Sequence, residues 1–153
     1  MYNCYMSELT SNREKISFTS LDNALDNLNN RLKNAYDKEL EQRKNGKKSL
    51  FELPEDINSA PLCDTFDNIN FDIEGKGLYV AVSKPIIIKN TQIPKHVFFI
   101  DDKGSVIDPT FGQHMLRMGK NPIEERKNMS ELFRKGIFVG SVKEAKDLGV
   151  GYF

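Results

Sequence analysis

The chain has 153 residues, the length of one domain, and a chain of this size buries roughly 68–70% of its unfolded surface without covalent staples. Lys plus Arg and Asp plus Glu each number 22, and this zero formal charge argues against a general nucleic-acid binder or a polybasic membrane anchor. Ten Phe and five Tyr supply core mass that a disordered chain lacks, while two Cys and two His, with no CxxC pair, make neither a disulfide framework nor a metal-ligand spacing.

The chain opens on residues 1–18, which carry no clear period. The longest apolar runs, 78–82 and 97–100, fall far short of a membrane span. Residues 1–8 lack the basic-then-apolar pattern of a Sec signal. The expected setting is therefore a reducing cytoplasm, and delivery into another cell by a non-Sec route is compatible with it. No cofactor and no metal are expected.

From Leu21 the period becomes helical. Leu21, Ala24, Leu25, Leu28, Leu32, Ala35, Tyr36 and Leu40 share one face, which predicts a long amphipathic helix over 19–45. Thr19 with Asp22 resembles a capping box, and Asn45-Gly46 marks the stop. Residues 46–62 read as a loop with turn-forming Pro54 and Pro61. A short helix is expected from Cys63, with Phe66, Ile69 and Ile73 on one face.

From Gly77 the period changes to two. Residues 78–83 and 86–89 read as strands separated by Lys84-Pro85, with a turn over 90–94. Residues 95–101 and 105–108 are the clearest strands. A helix is expected from Pro122 to about Lys135. Ser141 with Glu144 forms a capping box for a short last helix ending at Gly149. Helices before and after an antiparallel block, without repeat or boundary, predict one α+β domain over 1–153.

The hairpin over 96–110 carries the functional argument. Gly104 suits the left-handed position of a three-residue loop. In that register, paired positions sum to 206, Asp108 lies opposite Phe98, and His96 is its diagonal neighbour on the same face. Diagonal pairs are roughly 7–8 Å apart at the backbone, within reach of an imidazole–carboxylate bond. A two-residue loop would flip the parity and separate them. A carboxylate fixes the imidazole tautomer and favours its protonated form. Cys63 is the candidate nucleophile, because a thiol beside an imidazole ionises near neutral pH. Each residue also has a bland reading: a small buried hydrophobe, a satisfied strand histidine, a turn former before Pro109 and Thr110.

The order Cys63, His96, Asp108 resembles the papain-like and transglutaminase-like cysteine enzymes, over roughly residues 60–114. The matching pieces are Pro61-Leu62-Cys63, the run 78–82, Lys95-His96-Val97-Phe98-Phe99 and Gly104 through Phe111. In that superfamily the cysteine opens a helix, the histidine starts a strand and the acid follows a tight turn. The family's Ala-Trp after the histidine is Val97-Phe98 here, and Asp64, Asp67 and Asn68 follow the cysteine. Those acids oppose a thiolate.

The resemblance implies a papain-like core and a Cys63–His96–Asp108 triad. Asn58 is the candidate oxyanion donor, Gln113 an auxiliary polar group, and Cys4 a rival nucleophile. His114 is expected to face solvent or to start a helix. The implied activity is thiol-dependent acyl transfer through a thioester, as a peptidase, glutamine deamidase or transglutaminase-type enzyme. The expected partner is a protein or peptide substrate carrying a carboxamide or peptide bond. Two other readings stand beside it. One is a catalytically inactive α+β binding or accessory protein of phage or effector type. The other is an interaction protein that uses an unpaired apolar stripe on residues 21–40.

Overall fold

A computed structural model describes residues 13–49 and 51–152; Cys4 lies outside them. The first described element is β1, Glu14–Phe18. Helix α1, Leu21–Lys44, follows at once. Its cap is Ser20, whose Oγ accepts from Asn23 N at 3.1 Å, rather than the expected Thr19. Leu21, Ala24, Leu25, Leu28 and Leu32 bury the face that the sequence marks as apolar. They pack on Phe66, Phe71, Phe99 and their neighbours on one side of the sheet. Over residues 21–32 the expected 21–40 stripe is therefore partnered within the chain. Past Leu32 the helix leaves the core: Leu40 is exposed, and the Tyr36 hydroxyl donates to Pro54 O at 2.6 Å.

After α1, two one-turn 3-10 helices, Ile57–Ser59 and Cys63–Phe66, lead into β2, Ile69–Ile73. The expected helical face of Phe66, Ile69 and Ile73 is thus replaced by a strand. Asn68, Asn70 and Asp72 disfavour a helix here, and Ile69, Phe71 and Ile73 are buried on one face at strand spacing. Strand β1 pairs parallel with β2, with α1 as the crossover a parallel pair requires.

Strand β3, Gly77–Ile88, is one long strand where two were expected. It turns at Lys89-Asn90 directly into β4, Thr91–Ile100, so 91–94 is not a turn. The β3–β4 register shifts between Lys84 and Ile86. Pro85 and Pro94 sit at that irregularity, where proline's missing N–H costs no ladder bond. Gly104, at φ 82°, closes the hairpin to β5, Ser105–Asp108. Phe99 pairs with Ile107 and Ile100 with Val106, the register expected from the three-residue loop.

The rest of the chain covers the other face of the sheet. Helices α2, Gly112–Arg117, and α3, Pro122–Asn128, come next. Helix α3 stops well before Lys135, because residues 133–141 form a hairpin instead. Its strands are β6, Phe133–Arg134, and β7, Ile137–Ser141, and it turns at Lys135 (φ 55°) and Gly136 (φ 87°). Helix α4, Val142–Asp147, begins on the expected Ser141–Glu144 capping box. Strand β8, Val150–Gly151, adds to the far end of β3. The sheet order is β1-β2-β3-β4-β5-β7-β6, with β8 beside β3. This is an α+β fold. Its second core contains Phe98, Phe111, Met115, Phe138 and Tyr152. Among the described residues no helix is long and apolar enough to cross a membrane.

Candidate functional site

Alternation along β4 sends Val97 and Phe99 into the α1 core and Phe98 into the opposite one. His96 shares the face of Phe98, and its ring stacks beside the phenyl at 6.0 Å. Asp108, at the end of β5, reaches the same face. His96 Nε2 lies 2.8 Å from Asp108 Oδ2, and the two side chains are 2% and 0% exposed. The diagonal contact expected from the hairpin register is therefore present.

Asp108 is held from several sides. Its Oδ1 accepts from Thr110 N at 3.1 Å, an Asx-type turn around Pro109. Its Oδ2 accepts from His96, from His114 Nε2 at 3.1 Å and from the Tyr152 hydroxyl at 2.5 Å. His114 is 1% exposed, which corrects its expected place in solvent. It does lie in the helix that starts behind the turn, but with Phe111 at 5.3 Å its ring is drawn inward.

The electrostatics follow from sharing one carboxylate. Burial raises the Asp108 carboxyl, but the His96 charge and the bonds from His114 and His96 outweigh it and hold it well below the usual carboxylate range. Burial likewise opposes a charged His96. The charge and hydrogen bond of Asp108, with a smaller contribution from the nearby Cys63 thiol, overcome it and raise His96 to about 10. Burial dominates at His114, and the charge on His96 adds to it, so His114 falls to about 4 despite its bond to Asp108. One imidazole is thus charged and the other neutral. Burial, then the Asp108 charge, keeps the Tyr152 hydroxyl protonated well above 10.

Cys63 is half-buried and opens the second 3-10 turn. Asp108 takes His96 Nε2, so Nδ1 lies on the other side of the ring, and the Cys63 thiol is near enough to favour the charged imidazole. Asp64 beside the thiol is drawn off by Lys95 Nζ at 3.2 Å. Gln113 Nε2 donates to Thr110 Oγ1 at 2.8 Å and lies 3.4 Å from His96 Nδ1. Gln113 also borders a cleft of about 490 Å³, with Leu53, Pro54, Ser59, Pro61 and Leu116 among its walls.

Asn58 is a staple rather than a free oxyanion donor. Its Nδ2 donates to Asn29 Oδ1 at 2.9 Å and to Pro109 O at 3.0 Å, so both amide hydrogens are spent. The expected His96, Asp108 and Gln113 therefore gather at one place, with Cys63 near His96, while Asn58 acts behind them.

His114 and Tyr152 were missed as members of the cluster. His114 carried a signal, three residues after buried Phe111 on the same helical face. Tyr152 carried none, since only the β3–β8 pairing brings the chain end to Asp108.

His96, Asp108 and His114 each offer one ligand atom within a 4.8 Å span, a grouping that sequence spacing did not reveal. A metal-bound histidine normally donates its other nitrogen to an acceptor. His114 Nδ1 is buried without a hydrogen-bond partner, and the converging atoms all lie at hydrogen-bond distances. The cluster fits a hydrogen-bonded carboxylate better than a metal centre.

No family model matches the chain, and neither a curated protein nor a solved structure does.

Proposed function

We propose that the chain is a small thiol-dependent acyl-transfer enzyme of the papain-like or transglutaminase-like kind. The single observation that carries this reading is the buried His96 imidazole, held by Asp108 at 2.8 Å, with the half-buried Cys63 thiol near the ring. Cys63 Sγ attacks the carbonyl carbon of a peptide or glutamine side chain. The C–S bond forms, the C–N bond breaks, and His96 gives its Nδ1 proton to the departing nitrogen. His96 then takes a proton from water or an amine, whose attack on the thioester restores the thiol. Asp108 holds the imidazole ring and its charge throughout. The substrate chain lies in the cleft beside Gln113, a residue that borders both the cleft and His96 Nδ1.

One observation favours a second reading, a catalytically inactive α+β binding protein. Asn58, the expected oxyanion donor, has both amide hydrogens engaged elsewhere. Alkylation of Cys63 by iodoacetamide between pH 4 and 10 separates the two. The enzyme reading expects reaction well below the ordinary thiol range of about 8.5, lost in His96→Ala. A thiol that is inert, or that titrates identically in both chains, refutes it. Glutamine peptides then assign the acceptor: ammonia release alone marks a deamidase, amine incorporation a transglutaminase, and chain cleavage a peptidase.

A further inference from the structure

Three donors converge on one atom, Asp108 Oδ2: His96 at 2.8 Å, His114 at 3.1 Å and Tyr152 at 2.5 Å. The first two donor nitrogens stand only 3.2 Å apart. Orienting His96 requires one carboxylate and one bond. The other two donors come from separate elements, α2 and the segment after β8, and both side chains are sealed from solvent. Donors that share an acceptor oxygen compete for its charge, and each weakens what the others receive.

We propose that Tyr152 and His114 are positioning residues that temper Asp108, drawing charge off the oxygen facing His96 so that His96 can release its proton. This rests on the reading of His96 as the acid–base group of the site. A fully buried carboxylate with His96 as its only donor would hold the imidazolium too firmly to protonate a leaving amine. With Tyr152 and His114 bound to the same oxygen, the imidazolium keeps its place and loses part of its hold. Both helpers suit the task because they donate without carrying charge: His114 is neutral near pH 7, and the phenol stays protonated.

The other groups facing the pair leave this assignment intact. Lys84 pairs with His96 across the β3–β4 ladder. Cys63 lies near the imidazole, and the Asp64–Lys95 ion pair stands beside it. From α2 come Gln113 and Arg117, the latter acting on His114 through its charge. Thr110 holds the other carboxylate oxygen.

Ring-nitrogen NMR tests the proposal directly, because the chain has only two histidines. Spectra of the full chain labelled at histidine are followed with pH for wild type, Tyr152→Phe and His114→Phe. Removing either donor should move the His96 Nε2–H resonance downfield. It should also shift the His96 titration upward by about one pH unit, the scale of a shared charge-assisted hydrogen bond. No shift, or a downward one, overturns the proposal. Should Tyr152→Phe fail to fold, His114→Phe carries the test. The same comparison in a Cys63→Ala background keeps the Asp108 cluster intact. An upward shift there, alongside an inert Cys63 in wild type, sustains the tempering while refuting the enzyme reading.

Discussion

Replacing Asp108 by Asn tests the charge at the centre of the molecule. The side chain keeps its size, but the anion facing His96 is gone. In the folded wild type, His96 retains its proton to about 10, whereas the unfolded chain releases it near 6.5. The folded state thus holds a proton that the unfolded state has lost. Its contribution is complete below 6.5 and disappears as pH rises through 10. At about 1.4 kcal/mol per pH unit, that window is worth about 5 kcal/mol. In Asp108→Asn the buried imidazole has no counter-charge and stays neutral above 6.5. The variant should be about 3–5 kcal/mol less stable near pH 6.5, the usual cost of breaking a buried pair. Its disadvantage should shrink towards pH 10. Tyr79 and Tyr152 are both raised above 10 and leave the window undisturbed. Urea unfolding at half-unit steps from pH 6.5 to 10 reads both curves. If Asp108→Asn loses stability with pH as steeply as wild type does, the alkaline dependence comes from another group and the reasoning fails.

Two substitutions probe how the scaffold holds the site. A Cβ at Gly112 would stand 2.3 Å from Ser59 Oγ and 2.8 Å from Asn58 O, so Gly112→Ala should push the start of α2 outward. A cost of about 1–3 kcal/mol is expected from overpacking, with Gln113 and His114 displaced and the His114 ring resonances shifted; unchanged resonances would show that the 57–59 turn absorbs the methyl. Ser141→Ala removes the hydroxyl that accepts from Glu144 N at 3.0 Å. It should lower stability by about 1 kcal/mol in urea unfolding without moving the His96 titration, and a larger loss would mean that the α4 cap supports more than its own helix.

What could be read from the sequence was local. The 96–110 hairpin was legible because Gly104 sets the loop type, and the loop type sets which residues share a face. The buried stripe of α1 was legible from its 3.6-residue period, and the start of α4 from its capping box. Strand β1 was not legible, because it exists through parallel pairing with residues 69–73, more than fifty positions away. The 63–73 segment was misread for a related reason. Its Asn70 and Asp72 alternate with Ile69, Phe71 and Ile73 at strand spacing, but Phe66, Ile69 and Ile73 also fit a helical spacing. The end of α3 was missed because the Lys135-Gly136 turn outweighs the helix propensity of residues 129–134. At the site, the hairpin partners His96 and Asp108 were legible, whereas His114, expected in solvent or at a helix start, lies in α2 but faces inward, and Tyr152 reaches Asp108 only through tertiary contact.

The position of Asn58 explains how a loop-borne cysteine comes to face a strand-borne histidine. The 57–59 turn is pinned on three sides: to α1 through Asn29, to the Asp108-Pro109-Thr110 turn through Pro109 O, and against Gly112. A side chain at Gly136 would also collide with the Asn58 amide, at 2.4 Å from Oδ1, so the β6–β7 turn closes over the same residue. Cys63 follows Asn58 by only five residues, too short a tether to stray far from it. The turn that fixes Asp108 and the segment that presents Cys63 are therefore tied to one amide. An oxyanion donor was sought at Asn58 because it lies upstream of the thiol. Its two hydrogens hold the frame instead, and the open side of the cluster lies where Cys63 is half-exposed and Gln113 meets the cleft. Nε2 and everything behind it are sealed by Asp108, His114 and Tyr152, so under the proposed function the reacting group meets His96 from its Nδ1 side, where Gln113 links the ring to the cleft.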